Sequence, residues 1–200
     1  MILSMAYFPP IEYFYHAVKS DRIVIESCEN FVKQTYRNRC SIYASGGKLD
    51  LSITLDKCRR NHLPLKEVKI SYSLPWNKLH LKAIASAYNK SPFFMYYQPE
   101  LEMFFKKEYI WLLDFNCEIL QKCLKLLRCS PKIVLTEKYI HEYGQEDDFR
   151  ESISPKIQSG IQFPAYTQVF DYKFGFIPNL SIIDLLFNRG PEALSYLKSF

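Results

Sequence analysis

At 200 residues the chain is sized for one domain, and 48% hydrophobic with 24% charged residues is an ordinary globular balance. A formal net charge of +5 without a long Lys/Arg block argues against a nucleic-acid-binding protein. No apolar run approaches the ~18 residues of a transmembrane helix, and no basic-then-apolar leader opens the chain. A cytoplasmic protein with no transmembrane segment is expected.

The elements follow from spacing. Ile2 to Phe8 reads as a strand stopped by Pro9 and Pro10. Ile11 to Val18 reads as a short aromatic helix, and Arg22 to Glu26 as a second strand. The stretch 32–44 is compatible with an extended chain, and Ser45, Gly46 and Gly47 supply a hairpin turn. Leu49, Leu51, Ile53 and Leu55 alternate with polar residues, the mark of a half-buried strand. A polar loop over 56–64 and a short strand over 68–72 come next. Pro75 and Trp76 open a helix to about Tyr88, and Ser91 and Pro92 start another. Between Leu101 and Cys129 there is neither Pro nor Gly, so one long helix or two in series fill the span.

Ile133 to Thr136 reads as a strand, residues 144–160 as a polar loop, and Val169 with Phe170 as a final strand. Ser181 and Asp184 have the spacing of a capping box before a helix that ends at Gly190 and Pro191, with a terminal helix beyond. The sum is one α+β domain over 1–200, a mixed sheet with an N-terminal strand and β-hairpin, packed by helices from the middle and C-terminal parts.

The chemistry concentrates between Glu26 and Arg39, where two carboxylates, three cations, a Gln, two Asn and a Tyr fall within fourteen residues after an apolar strand. On an extended chain Lys33, Arg37 and Arg39 share one face with Thr35, while Gln34, Tyr36 and Asn38 share the other with Cys40. Cations on one face suit phosphate or carboxylate, and amide and phenol groups on the other suit sugar hydroxyls. A solvated edge strand guarded by charge is the competing explanation. Glu26 and Glu29 fit a general acid or base, Mg²⁺ ligands, or salt-bridge partners of the arginines. His80, Ile84 and Tyr88 share one helical face, so His80 is either a hydrogen-bonded structural group or a base lining a cleft with Tyr88. Asn116 falls on the apolar stripe of the long helix, where a buried amide needs a partner or faces a cavity.

Other chemistries find little support. Six cysteines contain no Cys-x-x-Cys pair, and the six-residue spacing of Cys117, Cys123 and Cys129 points neighbours about 120° apart on a helix. No metal ligand set emerges, and the thiols read as reduced. Cys28 with His80 would make only a low-specificity nucleophile pair. No P-loop, Gly-x-Gly-x-x-Gly, nucleophile elbow or zinc-protease motif occurs, so the cofactor stays unknown.

The motif order carries a resemblance. Ala6 to Pro10, Tyr13-Phe14, Ile25-Glu26, Glu29, Lys33 to Arg39, Trp76 with His80, Ala87-Tyr88, Ser91 to Phe94, Asn116 and Asn179 to Leu186 appear in sequence. Together they resemble the WbqC-like protein family of bacteria, and the form of Lys33 to Arg39 resembles its Bacteroidetes branch. The Gln-Pro start of many relatives is replaced here by Ala6 to Pro10. The resemblance implies a role in surface-polysaccharide or O-antigen synthesis. It fits a transferase moving an acyl or aminoacyl group onto an amino sugar, with a nucleotide sugar or other anionic small molecule as partner. A non-catalytic sugar-binding or scaffold protein of the same pathway is the alternative. Asn38, Arg39 and His80 are the positions where resemblance and residue chemistry coincide.

Overall fold

The computed structural model describes residues 1–56, 63–144 and 147–200. Cys58, His62, Glu146 and most of the loop expected over 56–64 lie outside them.

Three parallel strands form the first sheet: β1 (Ile2–Ser4), β2 (Arg22–Glu26) and β5 (Lys132–Leu135), with β2 in the middle. The central strand is apolar without alternation because both faces are covered; Ile23, Val24 and Ile25 are all buried. Helix α1 (Ile11–Ala17) carries the chain from β1 to β2. Between β2 and β5 lies an insertion that begins with the antiparallel hairpin β3 (Arg39–Ala44) and β4 (Gly47–Ser52), a second, two-stranded sheet. Its turn is Ser45-Gly46, and Gly47 takes a φ of 102° that glycine tolerates without a Cβ penalty.

Helices α2 (Trp76–Tyr88), α3 (Phe94–Lys106) and α4 (Leu112–Leu126) complete the insertion. On α4, Leu112, Phe115, Asn116, Ile119, Leu120 and Cys123 form one buried stripe at helical spacing. After β5 the chain runs to Asp171 with no helix or strand among the described residues. It closes with α5 (Asp171–Phe174), α6 (Ile182–Arg189) and α7 (Ala193–Lys198). One contiguous apolar core joins all three groups of elements. The α+β class holds, with parallel and antiparallel pairing divided between the two sheets.

Five local expectations are corrected. Residues 32–38 are not extended: Gln34 takes a φ of 60° and Thr35 Oγ1 donates to Val32 O at 2.8 Å, so the strand starts only at Arg39. The first strand stops at Ser4 rather than Phe8. Around 68–72 there are single bridges, Leu55 to Ile70 and Lys69 to Trp111, not a strand. Val169 and Phe170 lead into α5 instead of forming a strand. Ser181 is the residue before α6, but its hydroxyl donates to Phe8 O at 2.8 Å and caps no helix N–H, so the capping box does not form.

Candidate functional site

Ligand sites of parallel sheets lie beyond the carboxyl ends of the strands. Here Ser4 ends β1, Glu26 ends β2 and Thr136 follows β5, so three remote segments deliver polar groups to one edge. Glu26 is fully enclosed. Its Oε1 accepts from Cys28 N at 2.9 Å and Thr136 Oγ1 at 2.6 Å; its Oε2 accepts from the Tyr143 hydroxyl at 3.2 Å. Arg150 Nη1 lies 3.5 Å from the same Oε2. The Arg150 guanidinium also donates to both Asp148 oxygens and to the carbonyls of Ile140 and His141. Asp148 raises the Arg150 pKa and holds its own carboxyl below the usual carboxylate range through the same pairing.

Beside this pair sits a second. Arg37 Nε donates to Glu29 Oε1 at 2.8 Å, and Arg37 Nη2 donates to Glu29 Oε2. Both side chains are buried. Ser4 joins them: its hydroxyl donates to Glu29 Oε2 at 3.0 Å and accepts from Arg37 Nη2 at 2.9 Å. Burial pushes the Glu29 carboxyl up; Arg37 and Ser4 pull it back, and nearby Glu26 adds to the rise. Arg37 is fixed from behind as well, since Asn116 Nδ2 donates to its carbonyl at 2.7 Å.

Ser4, Tyr13, Tyr36 and Arg37 line a narrow pit of about 10 Å³, closed on its apolar side by Phe149 and Ile153. That is room for about one water molecule. The Tyr13 hydroxyl, on a residue only 2% exposed, has no hydrogen-bond partner among the described residues. An unsatisfied buried hydroxyl costs about 1–3 kcal/mol, so a water or a small polar ligand group in the pit would relieve it.

The residues singled out from sequence divide into five places. Glu26, Glu29, Arg37, Tyr36 and Asn116 gather around the charged edge. Lys33 and Gln34 are exposed, while Asn38 Nδ2 donates to Ile53 O at 3.2 Å and ties the segment to the hairpin's end. Arg39 reaches Asp50 Oδ2 at 3.4 Å across the hairpin. Tyr88 lies elsewhere: its hydroxyl donates to Asp184 Oδ1 at 2.9 Å and accepts from Tyr43 N at 3.0 Å.

His80 is enclosed between Tyr7, Trp76 and β4. Its Nδ1 is 2.9 Å from the Tyr7 hydroxyl, and its ring hydrogen-bonds the Ser52 backbone. Burial lowers its pKa to about 4, so the ring is neutral near pH 7. A neutral ring that donates to the Ser52 carbonyl has Nδ1 free to accept from Tyr7. Ser52 is also the cross-strand partner of Arg39, so Arg39 and His80 share a neighbour while their side chains serve different contacts.

Sequence reasoning missed Ser4, Tyr13, Thr136 and Arg150. The available signal was positional for Thr136, the last residue of an expected strand; Ser4 lay inside the strand expected over Ile2 to Phe8 and gave none. Among the described residues no group of three His, Cys, Asp or Glu is placed to hold a metal ion, and no helix is long and apolar enough to cross a membrane.

Parallel strands joined through helices, with buried charges beyond their carboxyl ends, define an α+β protein with a polar site at the sheet edge. The chain belongs to the WbqC-like protein family, whose model matches residues 5–160 and 141–196; the family is associated with polysaccharide biosynthesis. It is 25% identical to the uncharacterized protein Rv1507c of Mycobacterium tuberculosis, across 98% of this chain and 96% of that one. No solved structure matches significantly.

Proposed function

We propose that the protein is a cytoplasmic group-transfer enzyme of bacterial surface-polysaccharide (O-antigen-type) synthesis. It moves an acyl or aminoacyl group onto an amino sugar presented as a nucleotide-linked or other anionic substrate. One observation carries the reading: the partly exposed Ser4 hydroxyl lines the pit and donates at 3.0 Å to a buried carboxylate of raised pKa, Glu29. The family's association with polysaccharide biosynthesis supports the substrate class. Free cysteines among the described residues are in keeping with the reducing compartment.

In this mechanism the acceptor amine attacks the donor's acyl carbon. The new C–N bond forms as the bond to the donor's leaving group breaks, and that electron pair departs with the leaving group. The amine proton passes to Ser4 Oγ while the Ser4 proton passes to Glu29. Arg37 balances the charge that develops on the acyl oxygen. Tyr36 and Asn116 shape the pit, and Glu26 and His80 hold the surrounding segments as positioning residues.

A second reading has its own support. Arg37 binds both oxygens of Glu29, which suits a fixed recognition surface as well as a base. On that reading the protein binds an anionic sugar for the pathway without turning it over. Incubation with amino-sugar nucleotides and a panel of acyl and aminoacyl donors, read by mass spectrometry, separates the two. An acylated sugar from the native protein and none from folded Glu29→Gln supports transfer. Ligand-induced thermal stabilisation without product selects recognition, and neither response rejects both.

A further inference from the structure

Next to the pit lies a much larger cleft of about 350 Å³, with Tyr36 forming a wall of both. Its size falls within the ~300–1,000 Å³ of small-molecule sites. Lys48, from β4, and Lys156, from the irregular segment after β5, line it together with Gln158, Ser159 and Asn179. Neither ammonium has a carboxylate partner among the described residues. The acids that approach Tyr36 are already engaged. Asn179 Nδ2 donates to Glu12 Oε2 at 2.9 Å, and Asp50 accepts from Ser41 at 2.7 Å and from Arg39. Arg39 offsets Asp50, while Glu12 keeps its charge beneath a neutral amide, so the two ammoniums outweigh one carboxylate and the net charge around the cleft is positive.

The wall that carries Lys156 is long and irregular, yet it is pinned. Arg150 anchors one end to Asp148 and to Glu26. At the other end Tyr196 donates to Pro164 O at 2.7 Å, and Tyr166 and Gln168 donate to buried Asp184. Connections of this length without regular structure are commonly functional. Opposite, Asn179 holds a φ of 53° and grips Glu12 through both ends of its amide, accepting from Glu12 N at 2.9 Å. A cleft with fixed walls, two free ammoniums and neutral hydrogen-bonding groups matches a ligand with one strongly anionic end and several hydroxyls.

The geometry points to this cleft as the binding site for a phosphorylated sugar, with the phosphate against Lys48 and Lys156 and the sugar toward Gln158, Ser159 and Tyr36. The inference rests on the transfer reading only for the identity of the sugar as the acceptor; the binding claim stands apart from turnover. A sugar phosphate and a nucleotide diphosphate sugar share the recognised chemistry.

Calorimetric titration tests it with glucosamine 1-phosphate, uridine diphosphate N-acetylglucosamine, uridine monophosphate, inorganic phosphate and glucosamine. The variants are Lys48→Gln/Lys156→Gln and, as a charge control, Lys82→Gln on the exposed face of α2. At least one phosphorylated sugar should bind more tightly than inorganic phosphate, uridine monophosphate and glucosamine. The double variant should weaken it at least tenfold, and Lys82→Gln should leave it within twofold. A preference for the first or second probe names the source of the phosphate. Equal binding by the double variant, loss in Lys82→Gln to the same extent, or no binding by either sugar probe overturns the proposal. Tight, lysine-dependent binding without product would leave the cleft standing while the transfer reading falls. Product formed with an unchanged KM in the double variant would do the reverse.

Discussion

Arg37 binds both carboxylate oxygens of Glu29 eight residues away, and neither side chain is more than 7% exposed. The pairing explains why residues 32–38 turn instead of running extended. The segment folds back so that a guanidinium near its end meets a carboxylate just before its start. Removing one partner leaves the other charge buried and uncompensated, which costs about 3–5 kcal/mol. Arg37→Met should lower the unfolding free energy from denaturant titration by that amount, and Arg37→Met/Glu29→Met should recover most of it. Destabilisation of the double variant equal to the sum of the Arg37→Met and Glu29→Met losses would show that the pair is not coupled.

His80 sets an acid limb on stability. Its folded pKa of about 4 lies below the 6.5 of an exposed imidazole, so the unfolded chain binds the proton more readily. The contribution is complete above about pH 6.5 and shrinks as pH falls toward about 4, by about 3 kcal/mol in all. Glu29 and Asp184 act in the opposite sense: burial raises their carboxyl values, so their contribution is lost as pH rises. Comparing the native protein with His80→Gln cancels those groups. The variant should show a flatter stability profile between pH 6.5 and 4, measured by urea unfolding at each pH.

Much of this fold was legible because burial imposes period. The apolar run Ile23 to Ile25 and the helix from Trp76 to Tyr88 appear where spacing placed them; the strand through Leu51 does too, but it ends at Ser52, short of Ile53 and Leu55, and leaves Leu49 exposed. Two helices in series were one of two readings of 101–129, but the place of the break between α3 and α4 was not legible. No Pro or Gly marks it; tertiary contacts make it, through the Lys69 to Trp111 bridge and the Tyr72 hydroxyl accepting from Tyr109 N at 2.8 Å. The site behaves the same way. Glu26, Glu29 and Arg37 are close in sequence and stood out, whereas Ser4, Thr136 and Arg150 arrive from strand ends and a loop that no local pattern connects.

Asp184 shows how a short-range pattern misleads. Its spacing from Ser181 suggests a cap, yet its carboxylate accepts from Tyr88 at 2.9 Å, Tyr166 at 2.5 Å and Gln168 at 2.9 Å. In Asp184→Asn an amide N–H replaces one acceptor and faces a donor. About 1–3 kcal/mol of stability should be lost. Thermal unfolding of Asp184→Asn beside Asp184→Ala checks this; an unchanged midpoint in Asp184→Asn would mean the carboxylate is not needed.

Gly190 closes α6 in the left-handed region at φ 51°, and a Cβ there would lie 2.5 Å from the Phe93 ring. Phe93 is itself fixed, because its N–H donates to Phe187 O at 3.0 Å. Gly190→Ala therefore meets backbone strain of about 1–2 kcal/mol plus a clash. Gly46→Ala meets no heavy atom within 4 Å and no positive φ. Denaturant unfolding should show Gly190→Ala clearly destabilised and Gly46→Ala within about 1 kcal/mol of the native protein.

Ser4 gives the most direct access to mechanism because it combines partial exposure with the Glu29 hydrogen bond. Deleting its hydroxyl removes the proposed proton path but leaves the Arg37–Glu29 pair in place. General acid–base assistance is worth about 10²–10⁴-fold, so Ser4→Ala should lower kcat by that range with little change in KM. Glu29→Gln should lower kcat at least as far, since it removes the final proton acceptor. The kcat–pH profile of the native protein should fall on the acid side with an apparent pKa above that of a free carboxylate, following the raised Glu29 value. Ser4→Ala with native kcat and the same acid limb would exclude the hydroxyl from proton transfer. The same limb with a reduced kcat would instead assign the role to Glu29 acting without it.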